Sequence, residues 1–266
     1  MIHSISVRVE AVPCELATGR PRPSLRPYVV GYGGFRTGTA EPPRRRVLPL
    51  SLTTLIVDFA GPGLVTGPRD TPLVCDTGWR YGIAVGLTSA GVSALLGVPM
   101  RELAGTGVPP DDLLGRRARR LADRVAGERG WAARFAVLDE ELSELLRPRP
   151  DPDPSRDGMV SRAWWRIQES AGRLRIDELA DELGVARRRL EAGFQRRIGL
   201  PPKTVARIAR FQHVALLLSR PSATLDLAGT CGYADQPHLT RDVRAMSGLT
   251  PLQLRAFLQY NGRPAG

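Results

Sequence analysis

Two stretches in the C-terminal part of the chain repeat one another, and this repeat limits the fold more than any other feature. The segment LADELG at Leu179–Gly184 recurs as LAGTCG at Leu227–Gly232, an offset of 48 residues that becomes 49 after one added residue. The later matches are Leu190 with Leu239, Phe194 with Val243, and Gly199-Leu200 with Gly248-Leu249. A repeat of this length indicates two copies of one supersecondary unit. They are called unit one (residues 179–200) and unit two (residues 227–249).

Each unit has the layout of a helix-turn-helix. A short helix carries a small residue, Ala180 or Ala228, where two helix axes approach closely. A glycine, Gly184 or Gly232, then permits a sharp turn before a second helix begins. The sequence therefore predicts two similar helix pairs in this part of the chain.

The second helix of each unit has one apolar side and one polar side. The apolar residues recur at helical spacing and are predicted to face inward: Leu190, Phe194 and Ile198 in unit one, and Leu239, Val243 and Met246 in unit two. The opposite side carries Arg187, Arg188, Glu191 and Gln195 in unit one, and Gln236, His238, Thr240 and Arg241 in unit two. Such side chains bind base edges and phosphates in DNA. The alternative is that each polar side is merely solvated. The presence of such a polar side in both repeats favours the binding interpretation.

Between the units, Pro201–Arg220 predicts a long helix with prolines at its start, where a missing N–H group is tolerated. A helix of roughly 18 residues spans about 27 Å, which is comparable with the roughly 34 Å between successive major-groove faces of DNA. One chain could thus present two recognition helices to one side of a duplex. His213 is interpreted as an ordinary residue of this helix.

The charge of the chain agrees with a polyanionic partner. Its formal net charge is +11, and Lys203 is the single lysine beside 37 arginines. Residues 158–266 carry a net charge of +8, against +3 for residues 1–157. Arginine forms forked contacts with phosphate and guanine, although a GC-rich genome also raises arginine usage. The asymmetry points to nucleic acid as the partner of the C-terminal part.

These residues resemble the DNA-binding domain of the AraC/XylS family of bacterial transcription regulators, two helix-turn-helix units joined by a long helix. The resemblance covers about residues 159–260, and its most specific part is GYADQPHLTRDVRAMSGLTPLQLR at residues 232–255. It implies a cytoplasmic, sequence-specific transcription regulator that binds double-stranded promoter DNA. RNA polymerase, a small-molecule effector and a second copy of the chain are the further partners that it suggests.

The resemblance also implies which residues contact DNA. With the polar residues named above, the predicted set is Arg187, Arg188, Glu191, Ala192, Gln195, Lys203, Gln236, His238, Thr240 and Arg241. Some positions depart from the family pattern. Ala186 stands where a capping serine is frequent, which weakens the helix start by roughly 1 kcal/mol. Leu239 and Val243 replace frequent phenylalanines, and Pro237 occupies the first turn of the second recognition helix.

The chain is predicted to have two domains of an α+β protein. Residues 1–147 begin with short β-rich runs, broken at Gly61-Pro62-Gly63 and near Thr77-Gly78, which indicate a small β-barrel or sandwich. Helices follow, one of them capped by Thr88. A Pro- and Asp-rich linker is predicted at residues 148–158, before the all-α domain at residues 159–260.

The N-terminal part is similar to the variable sensing domains of many such regulators in actinobacteria, through LRPYVVGYGGFR, LPLSLTTLIVDF and GIAVGLTSAGVSALLG. That resemblance implies effector binding, dimerisation or both. Candidate effector contacts mix aromatic area with polar ends: they are Tyr32, Phe35, Arg36, Trp79 and Tyr81. The alternative is that most of them form the barrel core. The apolar stripe of Phe135, Leu138, Leu142 and Leu145 is interpreted as core, with a dimer interface as the alternative.

Other functions fit the sequence less well. The histidines His3, His213 and His238 do not combine with carboxylates at metal-ligand spacing, and no phosphate-binding loop or nucleophile motif is present, so neither enzyme activity, metal nor cofactor is predicted. A cysteine-based redox or alkylation sensor would need an activated thiol, whereas Cys75 and Cys231 lie in apolar contexts and Cys14 is isolated. A nonspecific DNA-packaging protein is the third alternative. No apolar run is long enough to cross a membrane.

Overall fold

The computed structural model describes residues 2–7, 14–38, 44–75, 78–146 and 154–260, with side chains of the last range from 158 to 259. It has an N-terminal β-rich part followed by helices, and a helical C-terminal part, so the predicted α+β class is confirmed. No helix among these residues is both long and apolar enough to span a membrane.

Two antiparallel sheets form the N-terminal part. The strands are β1 (Ser4–Ser6), β2 (Cys14–Gly19), β3 (Val29–Thr37), β4 (Arg45–Val47), β5 (Thr53–Asp58), β6 (Leu64–Thr66), β7 (Leu73–Cys75), β8 (Tyr81–Leu87) and β9 (Gly107–Val108). One sheet has the order β1-β4-β7, and the larger has the order β2-β3-β8-β5-β6-β9. Alternating side chains of facing strands fill the space between the sheets, among them Phe35, Val47 and Ile56. Part of the predicted alternation at residues 4–10 lies outside the described residues.

Helices cover one face of the larger sheet. They are α1 (Ser89–Gly91, continued by a π-helical turn at Val92–Leu96), α2 (Pro110–Leu114), α3 (Arg116–Gly127) and α4 (Trp131–Leu145). The Thr88 side chain accepts a hydrogen bond from the Gly91 N–H at 3.0 Å, which is the predicted cap. Leu138, Leu142 and Leu145 of α4 are buried. The apolar stripe of α4 is therefore core, as the sequence favoured.

Six helices lie in the C-terminal part of the described chain. They are α5 (Pro154–Glu169), α6 (Ile176–Glu182), α7 (Arg187–Arg197), α8 (Pro202–Leu218), α9 (Gln236–Ser247) and α10 (Pro251–Tyr260). Helix α5 begins at Pro154, inside the segment predicted as a linker, so the prediction of non-helical chain up to residue 158 is wrong there. A proline is tolerated in the first turn of a helix because its missing N–H would have no intrahelical acceptor. The rest of that segment, residues 147–153, lies outside the described residues.

The first helix of unit two is a second difference from the prediction. Residues 227–232 form turns, whereas α6 occupies the equivalent place in unit one. The backbone of the unit-two segment makes short-range hydrogen bonds, such as Cys231 N–H to Leu227 O at 2.9 Å and Tyr233 N–H to Ala228 O at 2.8 Å. Gly229 and Thr230 are poor helix formers, while α6 contains glutamate, leucine and alanine. The turn itself is the same in both units, because Gly184 (φ 64°) and Gly232 (φ 73°) have the left-handed backbone conformation that favours glycine.

Buried contacts cross between the two predicted domains. The largest apolar core contains sheet residues such as Leu55 and Val85 together with Met159 and Ile167 of α5 and Phe194 of α7. A second core joins α8, α9 and α10 to Ile5 and Leu48 of the N-terminal part. The division of the chain at residues 148–158 stays a prediction from sequence, and the hydrophobic core does not end there.

Candidate nucleic-acid interface

Helix α7 presents a polar face to solvent. Leu190, Phe194 and Ile198 are buried, as predicted. On the other side Arg188, Ala192 and Gln195 are exposed and lie at helical spacing along one line, with Glu191 half-buried beside them. The Gln195 amide makes only a 3.5 Å bond to Gly199 O. This face is therefore free to meet another surface.

Arg187 differs from its neighbours because it is already ion-paired. Its guanidinium lies 2.8 Å from the Asp177 carboxylate and 2.9 Å from that of Glu191. The hydrogen bonds that Arg187 donates to the Glu191 and Asp177 carboxylates raise the pKa of Arg187 above its usual value. A phosphate or base contact by Arg187 would have to replace these two partners, so its gain from binding DNA is smaller than that of an unpaired arginine.

Helix α9 begins with a side-chain cap that α7 lacks. Asp235 Oδ1 accepts a hydrogen bond from the His238 N–H at 2.7 Å, whereas Ala186 before α7 makes no such bond. The exposed side of α9 carries Arg241 and Arg244, flanked by half-buried Thr240 and His238. The His238 ring packs edge-on against Tyr233, with centroids 5.2 Å apart. Unit two therefore offers two exposed guanidinium groups on one helix face.

The Gln236 side chain is hydrogen-bonded within the protein, and its contact with DNA stays a prediction. Its Nε2 donates to Leu225 O at 2.8 Å, and its Oε1 is buried without a hydrogen-bond partner among the described residues. The side chain therefore ties the start of α9 to the preceding loop instead of extending into solvent. Position in the repeat predicted an outward side chain, but the loop before α9 covers it.

A buried polar cluster fixes the inner side of α9. Asp242 is 7 % exposed and contacts the guanidinium of Arg207 on α8. Its second oxygen accepts a hydrogen bond from the Tyr233 hydroxyl at 3.0 Å. Burial and the adjacent Asp242 carboxylate raise the pKa of Tyr233. The cluster joins α8, α9 and the turn before α9, so it holds the recognition helix in one orientation.

The remaining candidate, Lys203, is exposed in the first turn of α8, between the two units. Three arginines that the sequence analysis did not select also lie beside the exposed faces: Arg189 and Arg196 on α7, and Arg244 on α9. Helical spacing could have identified Arg244, because it follows Thr240 by four residues and Arg241 by three.

The candidate effector residues do not form a single site. Phe35 and Trp79 are buried between the two sheets. Tyr32 lies on the opposite face of β3, where its hydroxyl donates to Asp139 on α4 at 2.6 Å. Arg36 and Tyr81 pack together on that second face, with the guanidinium carbon 5.3 Å from the ring centroid. Strand alternation separates these residues, because neighbours at odd and even positions point to opposite faces.

Two buried arginines near Phe35 and Trp79 were missed by the sequence analysis. Arg45 and Arg69 are 7 % and 5 % exposed, and the Nε atom of each is buried without a partner among the described residues. Burial and the charges of Arg69 and Arg45 lower the pKa of His3 to about 3. In sequence, Arg45 and Val47 alternate like a strand with one inward face, which was the available signal.

The cysteines lie in apolar surroundings. Cys14 and Cys231 are buried, Cys75 is partly buried, and none of the three forms a disulfide bond with another described residue. Burial raises the pKa of both Cys14 and Cys231, which disfavours the reactive thiolate. No cluster of three or more metal-ligating side chains occurs within the described ranges.

Comparisons with known proteins identify the C-terminal part. Residues 179–256 match the family model described as a helix-turn-helix domain. No curated protein matches the chain. A transcriptional regulator of Chromobacterium violaceum with an AraC-type DNA-binding domain is 23 % identical over 42 % of this chain and 100 % of its own, with a TM-score of 0.37.

Two further solved structures are similar. The C-terminal domain of AraT, a response regulator from Geobacillus stearothermophilus, is 23 % identical over 45 % of this chain and 92 % of its own, with a TM-score of 0.35. Wild-type ToxT from Vibrio cholerae, with bound unsaturated fatty acid, is 12 % identical over 100 % of this chain and 97 % of its own, with a TM-score of 0.46. By the family match, the chain carries a helix-turn-helix domain at residues 179–256.

Proposed function

We propose that the protein is a sequence-specific transcription regulator that inserts α7 and α9 into successive major-groove segments of promoter DNA. The observation that carries this proposal is the duplicated arrangement of the two helices. Each has a buried apolar side and an exposed side with guanidinium groups, and both belong to the matched helix-turn-helix domain. A merely solvated helix face would not need to recur in both repeats.

The connecting helix supports binding to two adjacent grooves. Helix α8 contains 17 residues, which corresponds to about 25 Å of helix. This length is of the same order as the roughly 34 Å between successive major-groove faces. Lys203, in the first turn of α8, is suited to the phosphate backbone between the two contacts.

The chemistry of the exposed side chains suggests their roles. Arg188, Arg241 and Arg244 suit guanine edges or phosphates, and Gln195 suits adenine. Ala192 offers only a methyl group, which fits contact with thymine. Glu191, Thr240 and His238 flank these positions, and Arg187 contributes less because of its ion pairs. Gln236 is left out of the proposed readers because its amide is bound to Leu225 O.

The N-terminal part is proposed to modulate DNA binding because it contacts the ends of both recognition helices. Arg46 Nη1 donates to Ser247 O at the end of α9 at 3.0 Å. Arg101 Nη1 donates to Arg196 O near the end of α7 at 3.2 Å. A change in the N-terminal part can therefore reach the end of each helix through a direct hydrogen bond.

The buried arginines Arg45 and Arg69 mark the proposed effector region, and their charge favours an anion. Arg45 and Arg69 are buried cations, and neither forms an ion pair with a described carboxylate. Burying an unpaired charge is costly, so a carboxylate ligand would compensate the positive charge of these side chains. Phe35 and Trp79 supply adjoining apolar area. Small carboxylic acids should raise the melting temperature of the protein, and Arg45→Met should abolish that rise. An equal rise in both proteins would contradict the assignment.

The proposed DNA function is tested by selecting sites from a random duplex library with the full chain and measuring Kd on the selected sites. The preferred site should bind at least about 10³-fold more tightly than random duplex at about 0.15 M salt. It should contain two conserved segments about one helical turn apart. Equal affinity for all duplexes would contradict specific regulation and favour packaging.

A further inference from the structure

The N-terminal part carries its own basic surface on α3. Residues 116–124 contain five arginines and one aspartate. Leu121 and Val125 are buried, so α3 packs through its apolar side, and Arg116, Arg117, Arg119 and Arg120 are exposed. None of these four lies within ion-pair distance of a carboxylate among the described residues. Arg124, one turn further on, pairs instead with Glu140 and Glu141.

One residue, Ser93, connects the surroundings of this basic helix with those of α7. Arg117 and Ser93 line one small cavity of about 130 Å³. Ser93 also lines a second cavity, of about 290 Å³, whose opposite wall includes Arg189 and Arg196 of α7. Ser93 therefore marks the place where the start of α3 approaches the DNA-binding domain.

Arg101 continues the positive charge between the two helices. Its guanidinium donates to Arg196 O at 3.2 Å and lines the larger cavity beside Arg189. On α7, Arg189 and Arg196 border the exposed line of Arg188, Ala192 and Gln195. Arg189, Arg196 and Arg101 line one cavity, Arg117 lines a second that shares Ser93 with it, and Arg116 and Arg120 lie on the exposed side of the same helix α3 as Arg117; we call this set of guanidinium groups the strip.

The charge of the strip restricts its partner. Exposed arginines at this density repel one another, and a second copy of the same surface would add to that repulsion. A polyanion removes the repulsion and releases its own counterions on binding. Because Arg189 and Arg196 of the strip border the face proposed to enter the major groove, the phosphate backbone of the same duplex fits the strip better than a separate acidic protein.

We propose that Arg116, Arg117 and Arg120 bind phosphates of the DNA that flanks the groove occupied by α7. This inference rests on the proposed function, and it makes the N-terminal part a DNA-contacting element in addition to a modulator. We place these phosphate contacts on the unit-one side only. At the end of α9 in unit two, the guanidinium of Arg46 from the N-terminal part is already bound to Ser247 O. The protected DNA should therefore extend beyond the two recognised segments on the unit-one side only.

The test compares full-length variants with equal net charge. The variant R116Q/R117Q/R120Q removes the α3 arginines, and R20Q/R26Q/R129Q removes three exposed arginines outside the strip. Kd is measured against salt concentration on two duplexes: the selected site with long flanks, and the same site trimmed to its two recognised segments. A third variant, R116K/R117K/R120K, keeps the charge and should retain the wild-type salt slope. Circular dichroism melting checks that all variants fold.

On the long duplex, R116Q/R117Q/R120Q should lower the slope of log Kd against log salt by about 2 to 3, since each phosphate contact contributes about 0.9. The R20Q/R26Q/R129Q control should keep the wild-type slope, and all proteins should coincide on the trimmed duplex. Equal slopes for the two triple glutamine variants would overturn the inference alone. Wild-type protein without site preference would instead overturn the proposed function. If R116Q/R117Q/R120Q kept the wild-type salt slope on DNA but lost binding to polyglutamate, the strip would be assigned to an acidic protein. That result would overturn the inference.

Discussion

Unit one and unit two have the same layout, yet they are built into the molecule differently. The inner residues of unit one, Leu190 and Phe194, belong to the large core. That core also contains buried residues of α5 and the sheet residues Leu55 and Val85. The inner residues of unit two, Leu239 and Val243, belong to a separate core with α8 and α10. A disturbance of the N-terminal core therefore reaches unit one directly, whereas unit two is connected to that part mainly through Ile5, Leu48 and Arg46.

The two recognition helices are also held by different forces. At Gly193 of α7, an added Cβ would lie 2.9 Å from Val160 Cγ2 and 3.0 Å from Met159 Cε, so close apolar packing fixes this helix. The equivalent position in α9 is Asp242, which binds Arg207 and Tyr233. The comparison teaches that a repeat preserves the orientation of a helix while its supporting interactions change from apolar contact to a buried ion pair.

The largest expected effect is on stability, from Asp242→Ala. The substitution leaves Arg207 and the Tyr233 hydroxyl without their shared acceptor, and it should reduce the free energy of unfolding by about 2 to 3 kcal/mol. Urea denaturation at neutral pH measures this. The matched control is Asp181→Ala, at an exposed aspartate of α6, with an expected change within about 0.5 kcal/mol. Similar losses for both variants would mean that the buried cluster does not stabilise unit two.

The second prediction compares an unpaired arginine with a paired one. Arg241→Ala should weaken binding to the selected site by about 1 to 3 kcal/mol and relax the preference at one base pair. Arg187→Ala should cost less than about 1 kcal/mol, because Arg187 gives up ion pairs with Asp177 and Glu191 in order to bind DNA. Gel shifts on sites with single base changes measure both effects. Uniform loss on every sequence for Arg241→Ala would exclude a base-reading role.

The third prediction concerns the helix starts. Asp235→Ala removes the hydrogen bond to the His238 N–H and should destabilise the protein by about 1 kcal/mol. Ala186→Ser supplies the cap that α7 lacks and should stabilise it by up to about 1 kcal/mol. If the caps are the main difference between the starts of α7 and α9, thermal melting should show a lower Tm for Asp235→Ala and a higher Tm for Ala186→Ser. A loss of stability in Ala186→Ser would show that the uncapped start is required by its surroundings.

The smallest effect is expected at Lys203, which lies between the units. Lys203→Ala should lower affinity equally for all sequences and reduce the salt slope by about 1. Binding to duplexes that carry only the unit-one or only the unit-two segment should fall by the same factor. A loss confined to one segment would assign Lys203 to a single unit and exclude a backbone contact shared by both.

Much of the fold followed from local patterns in the sequence. The periodicity of α3, α4 and α8, the Thr88 cap and the inward residues of α7 and α9 were all predicted and are found in the structure. Two segments were mispredicted. Helix α5 begins earlier than its proline-rich sequence indicated, and residues 227–232 form turns instead of a helix. The first error arises because proline is tolerated in the first turn of a helix, and the second because Gly229 and Thr230 are poor helix formers.

For the predicted sites too, some features followed from local patterns in the sequence and others did not. Exposure of Arg188, Gln195 and Arg241 followed from helical spacing alone. The inward turn of Gln236 did not, because its partner, Leu225 O, comes from a loop whose path no local pattern specifies. The separation of Tyr32 from Phe35 was visible in their odd spacing on one strand, but their shared aromatic character suggested a common pocket.

By itself, the sequence determined the duplicated helix-turn-helix layout and the side of each recognition helix that faces solvent. These properties depend on residue spacing along one helix, which the chain fixes locally. Only the tertiary structure decided which core supports each unit, and that Arg46 and Arg101 of the N-terminal part bind the ends of α9 and α7. Those relations join residues separated by tens of positions, and they depend on how whole elements pack, a property that periodicity does not encode.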